Sequence, residues 1–154
     1  MTYQATYQLA QLNIAKAKSG DAHSPEMASF WAQVDAINAL ADRHEGLIWR
    51  LQDETTGNAG RFRIPGQEGM IVNLSVWRDV KALHSFVYRT GHAQIMARKD
   101  EWFVDEDEIT MVLWWVPAGH RPSLEECWQR LLKLRAEGPT PEAFTFKQRF
   151  DPPA

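Results

Sequence analysis

The sequence predicts an α+β domain built as βαββαβ, followed by one more helix and one more short strand. Three observations carry that expectation. Apolar residues alternate with a period of two in runs near residues 7–15, 47–51, 70–77 and 108–116, as strands require. Between the first two runs, and again between the last two, they recur at spacings of three and four, the period of a helix that buries one stripe. Finally, Ser123-Leu124-Glu125-Glu126 reads as a capping box that opens a further helix.

In the first strand, Ala10, Leu12 and Ile14 share one face and Leu9 takes the other. A loop over residues 17–24 leads to Ser24-Pro25, an N-cap followed by proline at the first helical position. The helix over residues 25–43 then buries Met27, Phe30, Trp31, Val34, Ile37 and Leu40, and Gly46 ends it. In the second strand, Ile48 is expected to face opposite to Leu47 and Trp49. Residues 54–69 hold four glycines and a proline, which predicts a long hairpin loop. The third strand sets Ile71, Asn73, Ser75 and Trp77 against Met70, Val72, Leu74 and Val76. Asp79 caps a second helix that buries Val80, Leu83, Val87 and Ile95, with Gly91 marking a break near His92.

The fourth strand carries Thr110, Val112, Trp114 and Val116 on one face and Ile109, Met111, Leu113 and Trp115 on the other. Apolar on both sides, it asks for cover on both. The capped helix buries Leu124, Cys127 or Trp128, Leu131 and Leu134, and Gly138-Pro139 stops it. Residues 143–150 are expected to add a last strand, with Phe144 and Phe146 on one face. The helices cover one sheet face. A second copy of the chain is the expected cover for the other, which predicts a symmetric homodimer.

A chain of 154 residues is expected to form a single domain over residues 1–154, with a core that needs neither disulfide nor metal. No apolar run reaches membrane-spanning length, and the opening MTYQATYQLA lacks the basic-then-apolar order of a signal peptide. With one cysteine, Cys127, a reducing, cytoplasmic setting is expected. The formal charge of -3, with basic residues scattered among acids, gives no stripe to track phosphates and argues against nucleic-acid binding. No glycine-rich phosphate loop is present.

Residues 86–103 crowd aromatic and cationic groups into a short span. His92 has the chemistry of a general base near neutral pH or of a haem ligand, and equally of a hydrogen bond that holds a broken helix. His84 and Tyr88 share a helical stripe with it. The two histidines lie two turns apart, too far to chelate one ion unaided, so no metal site is expected. Trp77, Trp114 and Trp115 offer faces for a flat aromatic ligand or for core packing. Trp114 and Trp115 point opposite ways, one toward helices and one toward a dimer centre. Asn73 and Ser75 share the Trp77 face. Polar groups on a central strand need partners, so they point to a hydrated cavity or an interfacial network. Asn13 reads the same way, or as a strand-end turn residue. Arg89 and Arg98 suit a carboxylate, or pair with surface acids as Arg98 does with Glu101 at a helical spacing. Cys127 reads as inert packing.

The runs LNIAKAK, VNLSVWRDVKALHSFVYRTGHAQIMARKDEWF and LWWVPAGHRPSLEECWQRLLKLRAEGPTPEAFTF resemble the DUF3291 group of the antibiotic-biosynthesis-monooxygenase superfamily of dimeric α/β barrels. The resemblance implies a ferredoxin-like sheet that meets its twin face to face. It also implies a working set of Asn13, Trp77 and His92, by position similar to that of the superfamily's haem-degrading branch. The function expected from it is a pocket for a flat aromatic or quinone-like compound, serving a cofactor-free oxygenase or an isomerase. In that reading His92 polarises a phenolic hydroxyl while Trp77 and Asn13 orient the ring. The ligand-binding set is His84, Tyr88, Asn73, Ser75, Trp114, Trp115 and Arg89. A haem-binding protein and a non-catalytic, ligand-carrying dimer are the alternatives, and the second predicts a filled centre.

Overall fold

The computed structural model describes residues 6–89 and 97–154. Four strands form one sheet: β1 (Tyr7–Lys16), β2 (Leu47–Arg50), β3 (Met70–Trp77) and β4 (Met111–Pro117). Their order is β2-β3-β1-β4, and every neighbouring pair is antiparallel. β1 is joined to β2, and β3 to β4, by helical crossovers that skip one strand, the split arrangement of a ferredoxin-like α+β fold. The helices are α1 (Ala28–Asp42), α2 (Val80–Arg89), the single turn α3 (Lys99–Trp102) and α4 (Leu124–Glu137). Gly91, His92 and Ile95 lie outside the described residues.

The strands alternate as their patterns require. Ala10, Leu12, Ile14, Val72, Leu74, Val76, Val112, Trp114 and Val116 pack on one face into a core with Cys127, Leu131 and Leu134 of α4. Ile64 joins that core, and Leu51, Ala59 and Phe62 pack against it, so the glycine-rich loop lies over this face as well. The chain therefore covers for itself the surface that the sequence reading left for a second copy. The capping box revealed that α4 exists, and apolar cover on either face satisfies its buried stripe equally well.

The opposite face carries Leu9, Trp77 and Leu113 beneath Ala41 of α1 and Ala82, Leu83 and Phe86 of α2. Further along the same face, Ile71 packs with Met27, Phe30 and Trp102. Between these two apolar clusters the sheet is polar.

Several local expectations change, among them the burial of Leu40, which is 42% exposed. Leu47 packs on the α1/α2 side while Trp49 packs on the α4 side, and Ile48 is 46% exposed. The cause is a register shift between Leu47 and Trp49 against β3, since one extra residue swaps the faces of those that follow. Residues 143–150 do not form a strand. Phe144 makes a single bridge to Leu113, after which the chain turns as Gln148 N–H donates to the Thr145 hydroxyl at 3.2 Å. β4 begins at Met111 rather than at residue 108; ahead of it, Arg135 of α4 donates to the Ile109 carbonyl at 2.9 Å and pairs with the Glu108 carboxylate at 3.0 Å.

Candidate functional site

Between the polar strip of the sheet and the helices lies a cavity of about 470 Å³. Its floor is strand: Gln11 and Asn13 from β1, Asn73, Ser75 and Trp77 from β3, and Met111 from β4. Its roof is helix: Phe30, Val34, Ile37 and Asn38 from α1, and Leu83, Phe86, Val87 and Tyr88 from α2, with Phe146 at the side. A smaller cavity of about 210 Å³ shares Asn13, Asn38, Asn73 and Phe30 with it and reaches Lys99, Asp100, Phe103, Asp105, Glu106 and Glu108.

The strand register builds the floor. Gln11 stands opposite Ser75 and Asn13 opposite Asn73, so four polar side chains converge on one patch. Gln11 Nε2 donates to Asn73 Oδ1 and to Ser75 Oγ, the latter at 2.8 Å. Trp77 Nε1 also donates to Ser75 Oγ at 2.8 Å. These bonds are why two polar residues tolerate burial on a central sheet, where an unmatched amide costs about 1–3 kcal/mol. The patch carries no formal charge. Arg50 is the charged side chain lining the larger cavity among the described residues, and its fork is occupied by Asp42 at 2.8 and 3.1 Å. That guanidinium, through its hydrogen bond, holds the Asp42 carboxyl below its ordinary pKa.

The structure brings together Asn13, Asn73, Ser75, Trp77 and Tyr88 on the lining. Tyr88 sits at the mouth, 63% exposed. Trp77 is buried, its ring tilted by 34° against Phe86 and T-shaped to His44. Trp114 lies elsewhere. It is on the α4 face, fully buried, with Nε1 donating to Glu126 at 3.0 Å, and is not on the cavity wall. Trp115 keeps the cavity's side of the sheet but donates to the Phe150 carbonyl at 2.8 Å and is not on the wall. His84 stacks on Tyr88 with ring centroids 4.3 Å apart and is likewise off the wall. Arg98 pairs with Glu101. His92 lies outside the described residues, and of Arg89 only its place in α2 is described.

Sequence reasoning missed Gln11 and Asn38. Gln11 had a readable signal, being two residues from Leu9 and from Asn13 on the same strand face. Asn38 had none, because a polar residue beside Ile37 reads as the wet side of a helix. For a haem, the described lining offers Tyr88 and Met111 as ligand types but neither imidazole nor thiolate, and its guanidinium, Arg50, is engaged by Asp42.

Comparison with curated proteins found no match. Among solved structures, the chain is similar to the Rv0793 protein of Mycobacterium tuberculosis, with a TM-score of 0.50 and 12% identity over 75% of this chain and 99% of that one. It is also similar to NE2512, a protein of unknown function from Nitrosomonas europaea, with a TM-score of 0.47 and 14% identity over 78% and 99%. A third is SnoaB, a cofactor-independent oxygenase from Streptomyces nogalater, with a TM-score of 0.40 and 18% identity over 78% and 96%. At 12% identity, the likeness to Rv0793 speaks to the fold alone. The family model described as Domain of unknown function (DUF3291) matches residues 8–154. The α+β, ferredoxin-like chain thus belongs to the DUF3291 family.

Proposed function

We propose that the chain binds a small, flat, largely apolar molecule between its sheet and its first two helices. One observation carries this reading: an uncharged hydrogen-bonding patch of Gln11, Asn13, Asn73 and Ser75 under a roof of Phe30, Val34, Ile37 and Phe86. Ligand sites commonly combine apolar walls with a few convergent polar groups. An apolar body satisfies the walls, and one or two neutral oxygen functions satisfy the floor. The filled-centre alternative expects no such space beside Trp77.

Titration with a flat aromatic compound, followed by quenching of tryptophan emission, tests the reading. The wild-type chain is expected to saturate. Ile37→Trp, which fills the space under the roof, is expected to lose binding while keeping the fold. Saturation of that variant with unchanged affinity counts against the cavity.

Catalysis is the further step of this proposal, an oxygenase- or isomerase-like reaction in which His92 takes a proton from a phenolic hydroxyl while Asn13 and Trp77 orient the ring. The assignment of His92 rests on the sequence. His92→Ala is expected to bind normally and to lose turnover; binding without turnover in the wild type identifies a carrier instead.

A further inference from the structure

We infer that the Ser75 hydroxyl is the specificity-determining donor of the cavity, and that the ligand meets it with an uncharged carbonyl oxygen. The inference rests on the ligand-binding reading above and names the chemistry that the floor selects. Ser75 is 6% exposed and lines the larger cavity. Its Oγ receives two N–H donors, from Gln11 and from Trp77, each at 2.8 Å. A hydroxyl has two acceptor positions and one proton. With both acceptor positions filled, the proton must point away from Gln11 and Trp77, and no described residue accepts it.

The orientation of Gln11 is set independently. Its Nε2 also lies 3.3 Å from the Asn73 backbone carbonyl, which can only accept. Gln11 is 4% exposed and cannot turn its oxygen toward Ser75 without setting that oxygen against the carbonyl. The hydroxyl is therefore a donor of fixed sense. Two incoming hydrogen bonds polarise it and strengthen the one it gives. A buried donor of this kind calls for an acceptor, and the surroundings say which. Arg50 is already engaged by Asp42, and among the described residues the adjoining cavity is lined by Asp100, Asp105, Glu106 and Glu108 against Lys99. That field disfavours an anionic acceptor and leaves a neutral carbonyl on an apolar body.

Fluorenone and fluorene, equal in shape but for the carbonyl, are the probes. The wild-type chain is expected to bind fluorenone about fivefold more tightly, the size of one neutral hydrogen bond. Ser75→Ala is expected to erase the preference without weakening fluorene, and Ser75→Thr to retain it. In infrared difference spectra, the bound carbonyl band is expected at lower frequency in the wild type than in Ser75→Ala. Equal binding of the two probes by the wild type, or a preference that persists in folded Ser75→Ala, overturns the role of Ser75 and leaves the cavity reading standing. Binding of neither probe overturns both. Ser75→Ala also strips an acceptor from the Trp77 indole, so circular dichroism accompanies each measurement. Should that variant not fold, the wild-type band decides alone: a carbonyl at its apolar-solvent frequency overturns the inference.

Discussion

Glu126 links three jobs through one carboxylate and one backbone amide. Its Oε2 accepts the indole N–H of buried Trp114 at 3.0 Å, its Oε1 meets His120 at 2.7 Å, and its amide donates to the Ser123 cap at 3.1 Å. Glu126→Ala is expected to destabilise by about 1–3 kcal/mol, because it leaves a buried indole N–H without an acceptor; chemical denaturation measures it. Next in sequence, the Cys127 thiol is pushed up to about 12, chiefly by burial and then by the Glu126 charge. It stays neutral at physiological pH, and thiol reagents are expected to modify it only on unfolding. Asp42 is one of the carboxylates that shape stability in acid, beside Asp53 and Glu101. Its folded pKa lies below the ordinary 3.8 through the hydrogen bond from Arg50, so its contribution is present above that value and is lost as pH falls through the folded pKa. The stability difference between wild type and Asp42→Asn is expected to shrink as pH drops below 3.8. Polar residues on the strands were the readable part of the site. Asn13, Asn73 and Ser75 stand out because a central strand does not tolerate unmatched amides, whereas Asn38 is disguised by its helical position.

Among the elements, the chain entering β2 passes close against α2. A Cβ placed on Gly46 would meet the Ala82 Cβ at 2.5 Å, and the Gly46 carbonyl accepts from Arg78 at 2.8 Å. Gly46→Ala is thus expected to cost about 1–3 kcal/mol, read as a lowered denaturation midpoint. In the sequence Gly46 resembles a helix stop, and its role as a contact surface for α2 emerges only once the elements pack. The same limit applies to β2. Four residues of strand are too short for periodicity to reveal the shift between Leu47 and Trp49. β1, β3 and β4 are longer, and their alternation translated directly into two faces. The end of the chain misled for another reason: Phe144 and Phe146 alternate like a strand, yet the turn after Phe144 lets Phe146 reach the cavity wall instead.

At the scale of the whole molecule, α4 decides how the sheet is finished. The sequence predicts a homodimer from a greasy face without cover, and in the folded chain α4 and Leu51, Ala59, Phe62 and Ile64 pack over that face. A chain ending at residue 122 bares Val112, Trp114 and Val116, and is expected to associate or precipitate, seen by light scattering. A monodisperse, stable monomer after that truncation would remove α4 from the role described here. Element order was legible from the sequence, but the layer that α4 joins was not, since amphipathic pattern names a buried stripe and says nothing of its partner.

That tethering has a thermodynamic corollary. A contact made within one polypeptide is governed by an effective concentration that dilution cannot change, whereas a face shared between two copies gains from mass action. An unfolding midpoint that stays put from nanomolar to millimolar protein therefore marks a chain finished by α4 alone, and one that rises with concentration marks the expected homodimer.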